Sequence, residues 1–253
     1  ESDTANLAVM SYDPKVYSKG RSPLEAMSMG LSMDDDDVAI RCNLVTLSED
    51  NVPYEEQRIL DHSADEISTE EADILVKALN DALPLEGRHL FTGISYRHCL
   101  MWKNVPSDYN FTRPHDILGQ VIKDSLPRVD DGGDIFLDFM KRGYEILKDH
   151  PLNKERKAKG LKPANSPWLW SPGKNPALPS FSEKWGVKAA VISAVDLIRG
   201  IGVCCGMEVI KVDGVTGNFN TNYKGKADAA IDAFKRGTDF VYIHVEAPDE
   251  CGH

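Results

Sequence analysis

The alternation of strand and helix patterns in the last third of the chain restricts its fold more than any other feature. Three apolar runs of strand length occupy residues 187–195, 208–212 and 240–245. Helical patterns separate them, and the clearest spans residues 226–236. A helix that links two strands in this way returns the chain to the same edge of the sheet, so the strands pair in parallel. We therefore predict a parallel α/β sheet in this part of the chain.

The middle of the chain mixes strands and helices without a repeating unit. Residues 38–47 are rich in β-branched side chains and predict a strand. Prolines between residues 163 and 179 surround the sequence Trp168, Leu169, Trp170, which predicts a loop that holds one short strand. The other predicted elements are helices at 69–83 and 135–148 and strands near 89–91 and 95–102. This pattern is typical of an α+β domain.

An acidic run at residues 34–37 precedes the middle region and indicates a solvated loop near a domain boundary. Because the α/β pattern begins only after Trp185, the middle region looks like an insertion into an α/β domain. We predict three parts, namely a first piece of the α/β core at 1–36, an inserted α+β domain at 37–182 and a second piece of the core at 183–253.

The composition excludes some partners. Lys and Arg number 29 against 40 Asp and Glu, which gives the 253 residues a formal charge of -11. Nucleic acids and anionic membranes are bound by basic surfaces, so neither is an expected partner. No apolar run approaches the roughly 20 residues that a membrane-spanning helix needs. The five cysteines are dispersed and odd in number, which favours reduced thiols and a cytoplasmic location.

Both ends of the chain are unusual for a globular protein. The sequence begins at Glu1 without an initiator methionine, and it ends at His253 within its densest run of possible metal ligands. Globular chains usually end in dispensable polar residues. We therefore expect the chain to be an interior piece of a longer protein.

Asp249 and His253 lie four residues apart, after the predicted strand at 240–245. Ligands of open α/β sheets collect at the carboxyl ends of the strands. An Asp oxygen and a His nitrogen are suitable ligands for Zn²⁺ or Mn²⁺. The spacing therefore indicates a divalent-metal site, and a surface loop with incidental polar residues is the alternative interpretation.

Short motifs run through the whole chain. They are SDTANLA at 2–8, GRSPLEA at 20–26, RCNLVT at 41–46, SYRH at 95–98, PHDI at 114–117, HP at 150–151, PAN at 163–165, WLW at 168–170, AVDL at 194–197, GIG at 200–202 and HVEAPDECGH at 244–253. Each motif alone is weak, but their order is specific. In this order the chain resembles the archaeal-type, cofactor-independent phosphoglycerate mutases of the alkaline phosphatase superfamily.

The resemblance implies an alkaline-phosphatase-like α/β core, incomplete in this chain, with an inserted α+β domain. It also implies a phosphotransferase that uses two divalent metal ions, Mn²⁺, Zn²⁺ or Mg²⁺, and no 2,3-bisphosphoglycerate. The family's nucleophile falls on Ser2, whose hydroxyl a bound metal would activate; without the resemblance, Ser2 reads as a helix cap. Asp249 and His253 correspond to two of the metal ligands, and the others fall outside the chain, upstream and downstream.

Several basic residues gain a role from the same resemblance. Arg199 is expected to face the transferred phosphate, with a solvated helix charge as the alternative. A charge at Arg41 interrupts an apolar strand and needs a partner, which could equally be a structural ion pair. The residues of the inserted domain expected to bind phosphoglycerate are Arg41, Arg97, His98, His115 and Arg156.

Other polar residues carry less support. Lys224 and Lys226 are weaker candidates for a phosphate contact. The sequence predicts that His62, His89, Cys204 and Cys205 are ordinary surface or core residues.

The function predicted from the resemblance is the interconversion of 3-phosphoglycerate and 2-phosphoglycerate through a phosphoserine, with a small phosphorylated substrate as the partner. A homoserine kinase of the same family is one alternative, although no glycine-rich phosphate loop of the Walker type is present. A piece without catalytic activity of its own is the other, because half of the metal ligands are missing.

Overall fold

The computed structural model describes residues 2–18, 20–128, 130 and 132–252, without the side chains of Ser2, Asp249 and Glu250. The chain forms two compact units. Unit 1 combines Glu1–Asp35 with Lys174–His253, and unit 2 is Asp36–Gly173. The sequence placed the second boundary at residue 182, because the α/β pattern begins only after Trp185. Leu178 and Phe181 instead pack in the core of unit 1, which moves the boundary back.

Unit 1 begins with three helices, α1 (Ser2–Val9), α2 (Pro14–Tyr17) and α3 (Arg21–Ser28). Unit 2 follows and is built on an antiparallel sheet. Its strands are β1 (Asp37–Leu47), β2 (Ile59–Asp61), β3 (Arg88–Ile94), β4 (Arg97–Lys103) and β5 (Ser166–Lys174). Strand β1 pairs with β2, β4 and β5, and β3 pairs with β4. All of the pairing in this sheet therefore depends, directly or through β4, on β1.

Helices cover one face of this sheet. They are α4 (Thr69–Ala82), α5 (Asp134–Leu147) and α6 (Pro151–Ala158), and short 3-10 turns lie at Tyr54–Glu56, Pro114–Asp116 and Lys123–Ser125. The predicted helix at 69–83 is confirmed, with Ser68 as its N-cap and Leu75 and Leu79 buried. Trp102 of β4 contacts Phe136 of α5, with ring centroids 5.6 Å apart. The core of unit 2 thus lies between α4, α5 and the even-numbered side of β4.

Strand β5 is longer than the sequence predicted. Instead of a loop with one short strand, residues Ser166–Lys174 form a continuous strand of 9 residues. Among the described strands, β5 pairs only with β1. Ser171, with a φ of 49°, interrupts the extended backbone between Pro167 and Pro172. Proline is tolerated in a strand with one partner and at such irregular positions.

The second part of unit 1 alternates helices with short parallel strands. Its elements are α7 (Phe181–Trp185), β6 (Ala189–Ile192), α8 (Asp196–Cys204), β7 (Glu208–Val209), α9 (Tyr223–Lys235), β8 (Phe240–Ile243) and α10 (Ala247–Glu250). Strand β6 pairs in parallel with both β7 and β8, so the predicted parallel α/β sheet is confirmed. Strand β6 ends earlier than predicted, because Val195 donates its N–H to Ser193 Oγ at 2.9 Å and turns the chain into α8. None of the described helices combines the length and the apolarity that crossing a membrane requires.

Helix α8 lies very close to α3 and to β6, and two glycines allow this. A Cβ atom at Gly200 would lie 1.8 Å from the carbonyl oxygen of Leu24, and one at Gly202 would lie 2.3 Å from Val191 Cγ1. Leu24 and Ile201 are buried in the same core. The packing of unit 1 therefore requires a residue without a side chain at position 200.

We predict that Gly200→Ala destabilises unit 1, because the added methyl group meets backbone rather than a side chain that can move. Overpacking typically costs about 1–3 kcal/mol or more, and the better helix propensity of alanine returns only about 1 kcal/mol. Gly217→Ala is the matched control, since the nearest atom to its added Cβ is Glu246 Cγ at 3.9 Å. Urea unfolding followed by circular dichroism should show a lower midpoint for Gly200→Ala alone. Equal midpoints for the two variants would contradict the close contact of α3 and α8.

Candidate functional site

Strands β1 and β4 place the predicted basic residues of unit 2 on two different faces of the sheet. Asn43 lies opposite Arg97 and Cys42 lies opposite His98 in the antiparallel register. Successive side chains of a strand point to alternate faces. Arg41, Asn43 and Arg97 therefore share one face, whereas His98 points with Cys42 toward the core.

Cationic and aromatic side chains form a continuous row on the first of these faces. The Arg41 guanidinium lies 4.1 Å from the centroid of the Trp170 ring. The ring of His115 lies 5.2 Å from that of Trp170 and 6.0 Å from that of His62, between centroids. His62 lies 5.6 Å from the Tyr96 ring, and the Arg97 guanidinium lies 5.4 Å from the same ring. We call this set the basic aromatic cluster, and its members are Arg41, His62, Tyr96, Arg97, His115 and Trp170.

The side chain of Asn43 joins two parts of the basic aromatic cluster. It is buried, with 1% of the residue exposed. Its Nδ2 donates to the His62 carbonyl oxygen at 3.1 Å, and its Oδ1 accepts from Trp170 Nε1 at 2.9 Å. One amide group therefore orients the indole ring and the backbone at His62 together.

The electrostatic surroundings of His115 show the positive character of the cluster. Burial lowers the pKa of His115 below its ordinary value, and the charges of Arg113, His62 and Arg41 lower this pKa further, against the opposing effect of Asp116. The imidazole is therefore mainly neutral at pH 7. A bound anion would favour its protonated form, because it would offset the neighbouring positive charges.

The chemistry of the basic aromatic cluster suits a small anion. Guanidinium groups donate two parallel hydrogen bonds to carboxylate or phosphate oxygens. Imidazole and phenol groups add single donors, which fit hydroxyl or phosphate oxygens. A ligand with both a carboxylate and a phosphate is the kind of molecule that such a row of donors can hold in a fixed orientation.

The structure corrects the prediction that His98 contacts the substrate. His98 is 4% exposed and lies on the core face, where its Nδ1 accepts the N–H of Gly93 at 3.2 Å. Burial lowers the pKa of His98 to about 4, so the ring is neutral at physiological pH. The sequence motif gave Arg97 and His98 equal weight, but the alternation of a strand separates neighbouring residues onto opposite faces.

Arg156 is also a structural residue rather than a member of the cluster. It is 2% exposed and forms an ion pair with Glu71. Its Nε donates to the Lys162 carbonyl oxygen at 3.0 Å, and its Nη2 donates to the Ala64 carbonyl oxygen at 2.7 Å. These contacts occupy all three nitrogens of the guanidinium, which removes Arg156 from the predicted substrate-binding set.

In unit 1, Arg199 lies in the first turn of α8, close to the carboxyl end of β6. Its Nη2 donates to the Ala194 carbonyl oxygen at 2.7 Å and lies 3.3 Å from an Asp196 carboxylate oxygen. Its Nε is buried and has no hydrogen-bond partner within the described part of the chain. The position matches the predicted sheet edge, and the Asp196 contact matches the alternative interpretation of a helix charge.

Polar groups also gather at the carboxyl end of β8. The Nζ of Lys226, a residue that is 2% exposed, donates to the His244 carbonyl oxygen at 2.9 Å. The His244 ring lies 3.4 Å from Ser193 Oγ and 3.3 Å from a Glu246 oxygen. Burial lowers the pKa values of both Lys226 and His244. Sequence reasoning treated Lys226 as a weak candidate, yet it is the buried ammonium at this edge of the sheet.

Three predicted residues fall outside the part of the structure that is described. The backbones of Ser2 and Asp249 lie in α1 and α10, but their side chains and the whole of His253 are not among the described groups. Asp3 is buried, and its Oδ2 accepts from Ser18 Oγ at 2.8 Å. Its Oδ1 has no hydrogen-bond partner among the described residues. A cation next to this carboxylate would satisfy it, whether a metal ion or a basic side chain.

Sequence reasoning missed three members of the basic aromatic cluster. His62 was predicted to be an ordinary residue, and Tyr96 and Trp170 received no role beyond their motifs. The contact between His62 and His115 joins positions that are far apart in the chain, so no local pattern could have revealed it. The motifs SYRH and WLW are the only sequence signals that point to the other two residues.

Comparisons with known proteins agree on one family. The family model of 2,3-bisphosphoglycerate-independent phosphoglycerate mutase matches residues 1–153. An enzyme of that name from Methanosarcina barkeri is 49% identical over 253 residues, which is 100% of this chain and 61% of the relative. A probable enzyme of the same name from Geobacter sulfurreducens is 46% identical over 100% of this chain and 62% of its own length.

Solved structures agree with these matches. A Pyrococcus horikoshii protein of 29% identity has a TM-score of 0.75 over 100% of this chain and 58% of its own. The cofactor-independent phosphoglycerate mutase from Thermoplasma acidophilum has 28% identity and a TM-score of 0.65, covering 97% of this chain and 64% of its own. The chain belongs to the 2,3-bisphosphoglycerate-independent phosphoglycerate mutase family. It spans about three fifths of the length of the curated relatives that it matches.

The buried position of His98 predicts a pH dependence of stability. The folded-state pKa of about 4 lies below the ordinary value of 6.5, so the unfolded chain takes up a proton first as the pH falls. The contribution of His98 to the free energy of unfolding is complete above pH 6.5 and decreases as the pH falls. At pH 4 the loss amounts to about 3 kcal/mol. His98→Asn keeps an acceptor for the Gly93 N–H and cannot titrate. Urea unfolding at both pH values should therefore show a smaller acid loss for the variant, and an equal loss would contradict the neutral state of His98.

Proposed function

We propose that the protein containing this chain is a metal-dependent phosphoglycerate mutase that interconverts 3-phosphoglycerate and 2-phosphoglycerate through a phosphoserine at Ser2. The observation that carries the proposal is the basic aromatic cluster, which offers donors for a carboxylate and a phosphate, in a chain of the mutase family. The relatives named above are called phosphoglycerate mutases. This favours the mutase over the homoserine kinase alternative.

The reaction needs a donor set for the glyceryl part of the substrate as well as a nucleophile. In the first half-reaction, the Ser2 hydroxyl loses its proton and Ser2 Oγ forms a bond to phosphorus, while the bond from phosphorus to the substrate oxygen breaks and that oxygen takes up a proton. In the second, the other hydroxyl of the glycerate loses its proton and forms a bond to phosphorus, while the bond from phosphorus to Ser2 Oγ breaks and Ser2 Oγ regains a proton. The carboxylate of the glycerate is unchanged throughout, so Arg41 and Arg97 can bind it in both halves.

Two divalent metal ions would supply the charge that favours the serine alkoxide. Asp249 and His253 would hold part of this site, with ligands outside the chain completing it. The donor chemistry at the carboxyl end of β8 fits such ions, because burial keeps His244 neutral beside Glu246 and α10 begins at Ala247, directly after this edge. Asp3 adds a buried carboxylate oxygen without a described partner next to Ser2.

The chain by itself is expected to have no turnover. It spans about three fifths of its relatives' length, and the ligand set that the resemblance assigns to it holds only Asp249 and His253. Mutase activity therefore belongs to the longer protein, whereas binding of the glyceryl part by unit 2 belongs to this chain.

The test is an assay of the longer protein, extended to the length of its relatives, with 3-phosphoglycerate, Mn²⁺ and enolase coupling. We predict activity that EDTA abolishes and that Mn²⁺ restores. Ser2→Ala should reduce kcat by at least about a thousandfold, because the covalent path is lost. Ser32→Ala, an exposed serine on the same unit, should leave kcat unchanged. A longer protein without Mn²⁺-dependent mutase activity, or one in which Ser2→Ala remains active, would refute the proposal.

A further inference from the structure

Three consecutive residues after β2 have a left-handed backbone. Ala64, Asp65 and Glu66 have φ values of 50°, 55° and 50°, and none of them is glycine. L-amino acids visit this region as single residues, because Cβ approaches the following carbonyl oxygen. A run of three persists only where the surroundings hold it in place. We call residues 64–66 the left-handed turn. It begins directly after Ser63, and His62 lies between the end of β2 and this turn.

Residues in and just after α6 contact the left-handed turn. Arg156 Nη2 donates to the Ala64 carbonyl oxygen at 2.7 Å, and the same guanidinium pairs with Glu71 of α4. The backbone N–H of Lys162 donates to Asp65 Oδ2 at 2.7 Å. The Lys162 ammonium lies 3.0 Å from Asp65 Oδ1 and 2.7 Å from Asp61 Oδ2. Residues on both sides of His62 are thus tied to Lys162.

The carboxylate of Asp61 organises the same segment from within. It accepts the N–H and the hydroxyl of Ser63, each at 2.8 Å. Burial opposes its ionisation, but hydrogen bonds from Lys162 and Ser63 hold the pKa of Asp61 well below its usual range. Asp61 is therefore a charged acceptor at neutral pH.

A second left-handed residue supports the neighbouring member of the cluster. Ser95, with a φ of 56°, directly precedes Tyr96. Its hydroxyl donates to the Ile67 carbonyl oxygen at 2.7 Å, and its N–H donates to Thr69 Oγ1 at 3.0 Å. The two left-handed segments are therefore connected through residues 67–69. His62 precedes the first segment and Tyr96 follows the second, and their ring centroids lie 5.6 Å apart.

We propose that Lys162 and Arg156 are positioning residues, which hold the left-handed turn so that the His62 ring faces Tyr96 and His115. Neither residue needs to touch a ligand. Arg156 thus keeps a place in the function of unit 2, but it acts through the backbone at Ala64. The consequence for substrate rests on the proposed function, whereas the geometry of His62 can be tested without any ligand.

The experiment uses the full chain with isotope-labelled histidine and tyrosine rings. In the unaltered chain, the His62 and Tyr96 rings should give a nuclear Overhauser effect. Lys162→Met should remove this signal and shift the His62 ring resonances, while the circular dichroism spectrum stays the same. Lys157→Met is the matched control, because Lys157 forms a comparable surface pair with Glu49 at 2.8 Å, away from the turn. The control should keep the signal.

A second variant removes the same contacts from the other partner, so that the test can still be made if Lys162→Met does not fold. Asp65→Ala removes both Lys162 contacts from the exposed side of the turn and should have the same effect as Lys162→Met. If the ring signal is absent from the unaltered chain, or persists in either folded variant, the positioning role is refuted.

Calorimetric titration with 3-phosphoglycerate separates this inference from the proposed function. Loss of one positioned donor should weaken binding by about tenfold in Lys162→Met, with no change in Lys157→Met. If the unaltered chain binds no 3-phosphoglycerate, the proposed function fails, and the ring signal still decides whether Lys162 positions His62. If binding to Lys162→Met equals that of the unaltered chain, the link from the turn to the ligand is refuted.

Discussion

Strand β1 is the constraint on which unit 2 depends, because β2, β4 and β5 all pair with it. Its alternation directs Cys42 and Leu44 into the core and leaves Arg41 and Asn43 on the opposite face. Asn43 fixes two neighbouring parts of the basic aromatic cluster on this face, because its buried amide forms hydrogen bonds both with the Trp170 indole and with the His62 backbone. Without this amide, two polar groups would lose their partners, and the rings on the two sides of it would lose their common anchor.

In each unit, a backbone feature determines where the polar groups lie. In unit 1, Gly200 and Gly202 let α8 lie directly against α3 and β6, which places the start of α8 at the carboxyl end of the parallel sheet. Buried or half-buried polar groups such as Lys226 and His244 gather at that end. In unit 2, strain is concentrated in the left-handed turn beside His62, and each such residue costs roughly 1–2 kcal/mol. Strain of this kind is usual next to a binding site, where the required geometry is not the most stable one.

Much of this could be predicted from the sequence, because hydrophobic periodicity and strand–helix alternation are local signals. They predicted the helix at 69–83, the parallel sheet and the α+β character of the middle region. The length of strand β5 was underestimated, because proline is disfavoured in strands unless one edge is free. The site was predicted only in part: Arg41, Arg97 and His115 lie in the cluster, whereas His98 and Arg156 are buried elsewhere. His62 could not be found, because its neighbours come from distant parts of the chain.

We propose that the basic aromatic cluster binds phosphoglycerate, and titration calorimetry of the chain with 3-phosphoglycerate is a direct test of this binding. Arg41→Ala should weaken binding by about 10- to 100-fold, the usual value of a hydrogen-bonded charge. Arg88→Ala is the matched control, because its guanidinium also lies over an aromatic ring, 4.6 Å from that of Trp102, but outside the cluster. The affinity of Arg88→Ala for 3-phosphoglycerate should be unchanged. Equal affinity of the Arg41→Ala and unaltered chains would contradict a role of the basic aromatic cluster in binding phosphoglycerate.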